Sequence, residues 1–216
     1  MTDFLLRLAA DWQLILAKTV QHVGLALFAV FIACLIALPL AVTASRYRGL
    51  ARATIVTVSV VQTIPSLALF GLLIPIIGIG FKPAVIALTL HAIFPILQNS
   101  YEGLTGVDRS LIDAGRGMGM SQRQLLWRVE LPIARSHILG GVRLATVGAV
   151  SGATIASYIA AGGLGDIIVR GLAGLNTIVM LEGAIPVSLL VIAFSVALSG
   201  LHYWLTPRGL RHTLKK

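Results

Sequence analysis

The sequence predicts an all-α, polytopic membrane protein with about five membrane-spanning helices. Hydrophobic residues make up 57% of the 216 residues and charged residues only 12%, a balance that a water-soluble core of this length does not need. Five apolar segments can each cross the ~30 Å hydrocarbon layer, for which about 20 residues suffice. The formal net charge of +9 does not indicate nucleic-acid binding, because no polar domain interleaves aromatic and basic residues. The chain is therefore expected to lie in a lipid bilayer.

Residues 1–18 are predicted to form an amphipathic helix that lies in the membrane interface and is retained. The segment carries Asp3 and Asp11, whereas a cleaved signal has a basic start followed by a short apolar core. Apolar residues repeat through it at helical spacing: Phe4, Leu5, Leu8, Trp12, Ile15 and Leu16.

The transmembrane domain is predicted over residues 19–205. Its spans are expected at residues 20–43, 54–77, 83–100, 138–159 and 178–205. Basic residues cluster after the first, third and fifth spans: Arg46, Arg48, Arg52, Arg109, Arg116, Arg123, Arg128, Arg135, Arg208, Arg211, Lys215 and Lys216. Only Arg7, Lys18, Lys82 and Arg170 fall clearly on the other side. The positive-inside rule then gives an external N-terminus and a cytoplasmic C-terminus, with residues 206–216 as a basic cytoplasmic tail.

Residues 108–132, between the third and fourth spans, are predicted to form a polar hairpin of two short helices. Asp108 stands at the N-cap of a helix over residues 110–118. Gly119 stands where a helix end needs a left-handed residue without Cβ strain. The hairpin would lie on the cytoplasmic side.

The second helix of the hairpin is predicted to begin at Ser121, which has capping-box spacing to Gln124. It is expected to end near Leu131, because Pro132 disfavours the helical conformation in the residue before it. The apolar residues expected to face a groove are Leu111, Ala114, Met118, Leu125, Leu126 and Val129. The basic residues expected to contact water, lipid headgroups or acidic partner residues are Arg109, Arg116, Arg123 and Arg128.

The same hairpin carries a spaced pattern: Asp113-Ala114-Gly115, three residues, Gly119, nine residues, then Val129-Glu130-Leu131-Pro132. This pattern resembles the EAA signature of the membrane subunits of bacterial ATP-binding-cassette (ABC) importers, E-A-A, three residues, G, nine residues, I-x-L-P. The resemblance implies that coupling to cytoplasmic ATPase subunits runs through Asp113, Ala114, Gly115, Gly119, Val129, Leu131 and Pro132.

Two departures from the signature bear on the strength of that coupling. Asp113 replaces Glu and shortens the acidic arm by one methylene. Gly115 replaces Ala and is expected to loosen the first helix by about 1 kcal/mol on propensity alone.

Polar residues and prolines inside the spans are candidates for the lining of a transport pathway. Gln62-Thr63-Ile64-Pro65-Ser66 interrupts the second span, and Pro65 frees a backbone carbonyl that needs a neighbour or water. The candidate lining residues are Gln62, Thr63, Pro65, Ser66, Gln98, Asn99 and Glu182. Hydrogen bonding between helices is an equally good reading of each residue taken singly.

No catalytic constellation is present in the sequence. The glycines at 115–119 follow no strand, and Gly162-Gly163-Leu164-Gly165-Asp166 lacks the Lys-Ser/Thr of a phosphate-binding loop. The five histidines are scattered without metal-ligand spacing, and Cys34 is expected to pack inside the first span. We therefore predict no catalytic residue, no metal site and no cofactor bound by this chain. The resemblance implies that ATP and Mg²⁺ are bound by a partner ATPase.

Further runs narrow the resemblance to the permease subunits of osmoprotectant importers, which carry glycine betaine, choline and related quaternary amines. The similar runs lie at residues 62–69, 77–80, 95–101 and 161–166, and the likeness extends over residues 20–205. It implies the type I importer fold of the methionine importer, in the cell inner membrane. It also implies a second permease subunit, identical or homologous, and a periplasmic substrate-binding protein that would be a separate polypeptide.

The sequence leaves three other functions open. The first is an amino-acid importer of the methionine type, which shares the five-span plan and the glycine-rich external turn. An ion-coupled secondary transporter would need intramembrane ionisable groups, for which only Glu182 and His91 are candidates, and usually inverted repeats, which we do not detect. A membrane-embedded enzyme would need a convergent cluster of reactive groups. Aromatic residues are only 6% of the chain and form no mid-span cage, so cargo selectivity is expected to reside in the binding protein.

Overall fold

The computed structural model describes Arg7 and residues 9–205, and these residues form an all-helical membrane protein. The helices are α1 (Trp12–Arg46), α2 (Arg48–Thr63), α3 (Ser66–Ile77), α4 (Phe81–Thr105), α5 (Arg109–Gly117), α6 (Gln122–Leu125), α7 (Leu131–Ala156), α8 (Gly165–Ala173) and α9 (Thr177–Leu205). A π-helical turn (Leu126–Glu130) joins α6 to α7, and a 3-10 turn (Ser157–Ile159) follows α7. The predicted fold class is confirmed.

Four helical segments of the described chain are long and apolar enough to cross a membrane: Trp12–Arg46, Phe81–Thr105, Gln122–Ile159 and Thr177–Trp204. A fifth candidate span consists of α2 and α3 together, whose axes are bent by 95°. Four to five spans therefore agree with the number that the sequence predicts.

The helix that contains the first span begins before the predicted start of that span. Helix α1 starts at Trp12, so residues 12–18 continue directly into it instead of forming a separate helix. Trp12 and Leu16 are more than half exposed on this extension. Residues 1–6 and 8 of the predicted interfacial helix, and the predicted tail at 206–216, lie outside the described residues, so their placement stays a prediction.

The predicted second span at 54–77 is not one straight helix. Ile64 and Pro65 have extended backbone, with ψ of 121° and 135°, and they separate α2 from α3. Proline lacks an N–H and disfavours the helical conformation in the residue before it, and here Ile64 is extended and the helix stops. The sequence located this interruption but did not predict a turn close to a right angle.

Small residues allow the central helices to approach closely. Helix α1 presents Ala29 and Ala33 to the core with no exposed surface, and the Thr89 hydroxyl of α4 donates to the Ala29 carbonyl at 3.2 Å. Helices α4 and α7 cross at Gly141, where an added Cβ would lie 2.6 Å from the Pro95 carbonyl oxygen. Close backbone contact of this kind is how membrane helices associate without a hydrophobic driving force.

A glycine-rich turn between α7 and α8 is fastened to the N-terminal part of α1. Gly162 and Gly163 have φ of +86° and +88°, a conformation that glycine adopts without strain. The Gly163 N–H donates to Gln21 Oε1 at 3.0 Å, and Lys18 Nζ donates to Asp166 Oδ2 at 2.5 Å. A Cβ at Gly162 would overlap the Gln21 side chain. The close docking of this turn on α1 therefore depends on glycine.

Candidate functional site

The first helix of the hairpin has the predicted caps. The Asp108 carboxylate accepts a hydrogen bond of 2.9 Å from the Ser110 N–H, and this bond to the charged form lowers the pKa of the Asp108 side chain. After α5 the chain turns at Gly119, whose φ is +77°. The Met120 N–H then donates to the Gly115 carbonyl at 3.0 Å and closes the turn.

The capping box at the start of the second hairpin helix is also confirmed. The Ser121 N–H donates to Gln124 Oε1 at 2.8 Å, and the Gln124 N–H donates to Ser121 Oγ at 3.3 Å. Both bonds satisfy backbone donors that the first turn of a helix leaves without a partner. The turn between the two helices is thus fixed by local sequence.

The predicted end of this helix near Leu131 is wrong. The chain remains helical from Gln122 to Ile159, and Leu131 itself has helical angles of −62° and −41°. The π turn Leu126–Glu130 ends two residues before Pro132. A wider turn there relieves the clash between the proline ring and the preceding carbonyls, and a proline in the first turn of α7 costs little because its missing N–H needs no partner. The second hairpin helix therefore continues, through the π turn, into the fourth span.

Gly115 has a packing role that the sequence did not predict. It is buried, and a Cβ at this position would lie 2.6 Å from Cδ2 of Leu125. Leu125, fully buried, fills the space between the two hairpin helices and so does not face a partner groove as predicted. Glycine at position 115 lowers the helix propensity of α5, but it leaves the space in which Leu125 packs between the two hairpin helices.

The other residues of the coupling signature differ in how far they are exposed. Asp113, Ala114 and Gly119 are exposed, whereas Val129, Leu131 and Pro132 are partly buried. Large apolar side chains also remain exposed on the hairpin: Leu111, Met118 and Trp127. Apolar side chains left exposed together with a polar rim are typical of a contact surface for another protein. Trp127 was not singled out from the sequence, although an aromatic residue among arginines is a usable signal for such a surface.

A cavity of about 330 Å³ lies at the break between α2 and α3. Gln62, Thr63, Pro65 and Ser66 line it, together with His91 on α4. The opposite wall consists of small side chains and an exposed leucine of α7: Leu144, Ala145, Gly148, Ala149 and Gly152. The structure therefore brings four predicted lining residues together at one cavity.

His91 supplies the partner that the break in the helix requires. Its Nε2 lies 3.1 Å from the carbonyl oxygen of Ile64, the last residue before Pro65, and its Nδ1 lies 3.0 Å from the Ala87 carbonyl oxygen. Carbonyl oxygens only accept and a neutral ring carries one N–H, so His91 donates to the Ile64 carbonyl in its Nε2–H tautomer and to the Ala87 carbonyl in its Nδ1–H tautomer. In the Nε2–H tautomer, His91 joins the bend to α4.

The other predicted lining residues lie elsewhere. Gln98 donates to Glu102 Oε1 at 2.5 Å, and Asn99 donates to the Pro95 carbonyl at 2.8 Å, both within α4. Glu182 on α9 is buried, with Oε1 lacking a hydrogen-bond partner among the described residues. None of these side chains reaches the cavity at the break.

The pattern of helices and the hairpin agree with what sequence comparison finds. Residues 29–210 match the family described as binding-protein-dependent transport system inner membrane component. This match covers most of the chain. The chain belongs to this family. It is accordingly a membrane permease subunit of a transport system, as the hairpin signature predicts.

Several transport permeases are similar to this permease over almost its whole length. It is 45% identical to the carnitine transport permease protein OpuCB of Listeria monocytogenes, over 91% of this chain and 90% of that protein. It is 39% identical to the choline transport system permease protein OpuBB of Bacillus subtilis, over 91% of each chain. It is also 39% identical to the osmoprotectant import permease protein OsmW of Salmonella typhimurium, over 89% of this chain and 92% of that protein.

Solved structures confirm the predicted fold. An inward-facing structure of the MetNI methionine ABC transporter matches this permease with a TM-score of 0.80, over 92% of this chain and 99% of that chain. The sequence identity is 24%, so the likeness concerns the fold alone. The methionine-importer-like fold expected from the resemblance is the fold observed.

Proposed function

We propose that this chain is the permease subunit of an ATP-driven importer of osmoprotectants, with glycine betaine, choline or carnitine as cargo. The observation that carries the proposal is the 45% identity to a carnitine transport permease across nine-tenths of both chains. Relatives from two other bacteria are named for choline and for osmoprotectants, and they match at 39% identity. The shared cargo class is a small solute with a quaternary amine.

The hairpin is proposed to bind a groove of a cytoplasmic ATPase subunit. Asp113, Ala114 and Gly119 are exposed at its surface and available for this contact. The helix running from Gln122 to Ile159 without interruption supports a direct transmission of movement, because displacement of the hairpin must displace the fourth span. ATP-driven closure of two ATPases would then switch the permease between inward-open and outward-open states.

The remaining partners follow from the same proposal. A second permease subunit, identical or homologous, completes the pathway, and a periplasmic substrate-binding protein delivers the cargo. ATP and Mg²⁺ are bound and ATP is hydrolysed by the ATPase subunits, while this chain binds no cofactor. The N-terminus is external and the C-terminus cytoplasmic. This orientation is supported by the basic residues that cluster after the first, third and fifth spans.

The cavity at the break between α2 and α3 is proposed to form part of the pathway. Its lining combines the amide of Gln62 and the hydroxyls of Thr63 and Ser66 with small apolar side chains. Among the described residues that line it there is no carboxylate, and Phe70 is the only Phe, Tyr or Trp, so these residues form no aromatic cage for a quaternary amine. Such a lining suits low-affinity passage, with selectivity supplied by the binding protein. Gln98, Asn99 and Glu182 stay candidates for other stretches of the pathway.

The methionine-type amino-acid importer is the weaker alternative. It is supported by the shared fold, at 24% sequence identity. Transporters of unrelated cargoes can have the same fold.

ATP hydrolysis in proteoliposomes tests both class and cargo. The permease is reconstituted with its co-encoded partners, and binding protein loaded with glycine betaine, carnitine or methionine is added separately. Stimulation by the quaternary amines alone is expected. Stimulation by methionine alone would keep the importer and overturn the cargo, and failure of any ATPase to assemble would overturn the class.

A further inference from the structure

Two charged side chains far apart in the sequence meet at the base of the hairpin. Arg46 lies in the last turn of α1, and Glu130 is the last residue of the π turn. Arg46 Nη1 donates to Glu130 Oε1 at 2.9 Å, and Nη2 donates to Oε2. The glutamate side chain is only 3% exposed and the arginine is 34% exposed. The coupling signature leaves the position of Glu130 unspecified, so its pattern did not predict this pair.

The pair lies on the wall of a cavity of about 320 Å³. The lining comes from the end of α1, the end of α4 and the first hairpin helix: Ala44, Ser45, Arg46, Tyr101, Leu104, Thr105, Val107, Arg109, Ile112 and Glu130. The ion pair forms part of this wall and connects the hairpin directly to α1.

The geometry of the pair makes it a firm connection. A bidentate arginine–carboxylate contact fixes orientation as well as distance. A buried carboxylate that loses its cation is strongly destabilised, so the two groups should stay together while the hairpin moves. Apolar contacts have no such directional requirement.

We propose that the Arg46–Glu130 pair transmits displacement of the hairpin to the first span. The covalent chain already connects the hairpin to the fourth span, through the continuous helix from Gln122 to Ile159. The first span packs against the fourth span, and the pair adds a direct polar link to the hairpin by holding the end of a 35-residue helix against the π turn. Arg46 and Glu130 are positioning residues in this mechanism. The proposal rests on the ATP-driven transport proposed above.

The test is the ratio of cargo transported to ATP hydrolysed in proteoliposomes. Glu130→Gln keeps the shape of the side chain and removes its charge. We expect it to assemble with the ATPase subunits and hydrolyse ATP, while transport per ATP falls by roughly threefold or more, as for a lost link in a coupling network. An unchanged ratio would overturn the proposal.

Reversal of the pair tests whether the charge pairing itself, and not either residue alone, carries the link. The double variant Arg46→Glu with Glu130→Arg restores the charge pairing and should recover most of the lost ratio. If Glu130→Gln fails to insert, Arg46→Lys keeps the charge but loses the bidentate contact, and a smaller loss of the ratio is expected. A ratio in Arg46→Lys equal to wild type would contradict the link.

A matched control removes another ion pair of the same molecule. Lys18→Gln with Asp166→Asn deletes the contact that fastens the glycine-rich turn to α1. This variant should lower the midpoint of thermal unfolding while leaving transport per ATP unchanged. An equal loss of the ratio in this control would mean that lost stability, not lost transmission, explains Glu130→Gln. Absence of ATPase assembly in the wild-type protein would instead count against the proposed function.

Discussion

Gly119 is a single residue on which the geometry of the hairpin turn depends. Its φ of +77° costs other residues about 1 kcal/mol or more, and no neighbouring atom within 4 Å of an added Cβ would obstruct a side chain. A large residue there would project into the proposed ATPase groove. We expect Gly119→Trp to insert normally and to lose ATPase association in a pull-down from detergent.

Gly119→Asn is the control for that substitution, because asparagine tolerates the left-handed conformation and is much smaller. It should retain most of the association. Uptake by Gly119→Trp at the wild-type rate would contradict the assignment of the hairpin as the docking element.

His91 is a second residue whose substitution should change measurable properties, the midpoint of thermal unfolding and the rate of uptake. His91→Leu leaves the Ile64 carbonyl without its donor, at a cost of about 1 kcal/mol, the low end for a lost partner because water can enter the adjoining cavity. We expect a lower midpoint of thermal unfolding and slower uptake. His91→Gln, whose amide can still donate, should lie between His91→Leu and wild type. Equal midpoints for all three proteins would show that the bend does not need this bond.

At the scale of elements, the crossing of α4 and α7 depends on glycine at one of two adjacent positions. An added Cβ at Gly141 would lie 2.6 Å from the Pro95 carbonyl oxygen, whereas at Gly140 the nearest atom is 3.9 Å away. Gly141→Ala should destabilise the protein by about 1 to 3 kcal/mol through overpacking. Gly140→Ala should leave stability unchanged or raise it by up to about 1 kcal/mol through helix propensity. Thermal unfolding of both variants in detergent checks this, and similar midpoints would contradict the close crossing.

Within the hairpin, the caps could be predicted from the sequence and the end of the second helix could not. Its caps at Asp108, Ser121 and Gln124 were predicted correctly because each depends on bonds between residues two or three positions apart. Its predicted end at Leu131 was wrong because the π turn absorbs the effect of Pro132. A proline rule derived from regular α-helices does not include this adjustment.

At the scale of the whole molecule, the cavity at the break between α2 and α3 is the feature most directly related to passage of cargo. Gly148 lines it, and an added Cβ there meets no atom within 4 Å. Gly148→Phe should fill much of the 330 Å³ without disturbing the fold. We expect uptake to fall at least about tenfold while ATPase assembly is retained, since a passage narrowed below the size of its cargo cannot conduct it.

Gly200→Phe adds the same side chain on α9, where Gly200 is exposed and an added Cβ again meets no atom within 4 Å. It should transport at close to the wild-type rate. Unimpaired uptake by Gly148→Phe would remove this cavity from the pathway.

The sequence by itself determined the fold class, the approximate spans, the capped hairpin and the position of the break at Pro65. These features depend on composition, on hydrophobic length and on contacts within a few residues. Only the tertiary structure decided that the second span bends by 95°, that His91 serves the Ile64 carbonyl and that Arg46 meets Glu130. It also decided that four candidate lining residues share a cavity while Gln98, Asn99 and Glu182 lie elsewhere. Such pairings join residues on different helices, and they depend on helix rotation and crossing, which the packing of the whole molecule fixes and no local pattern encodes.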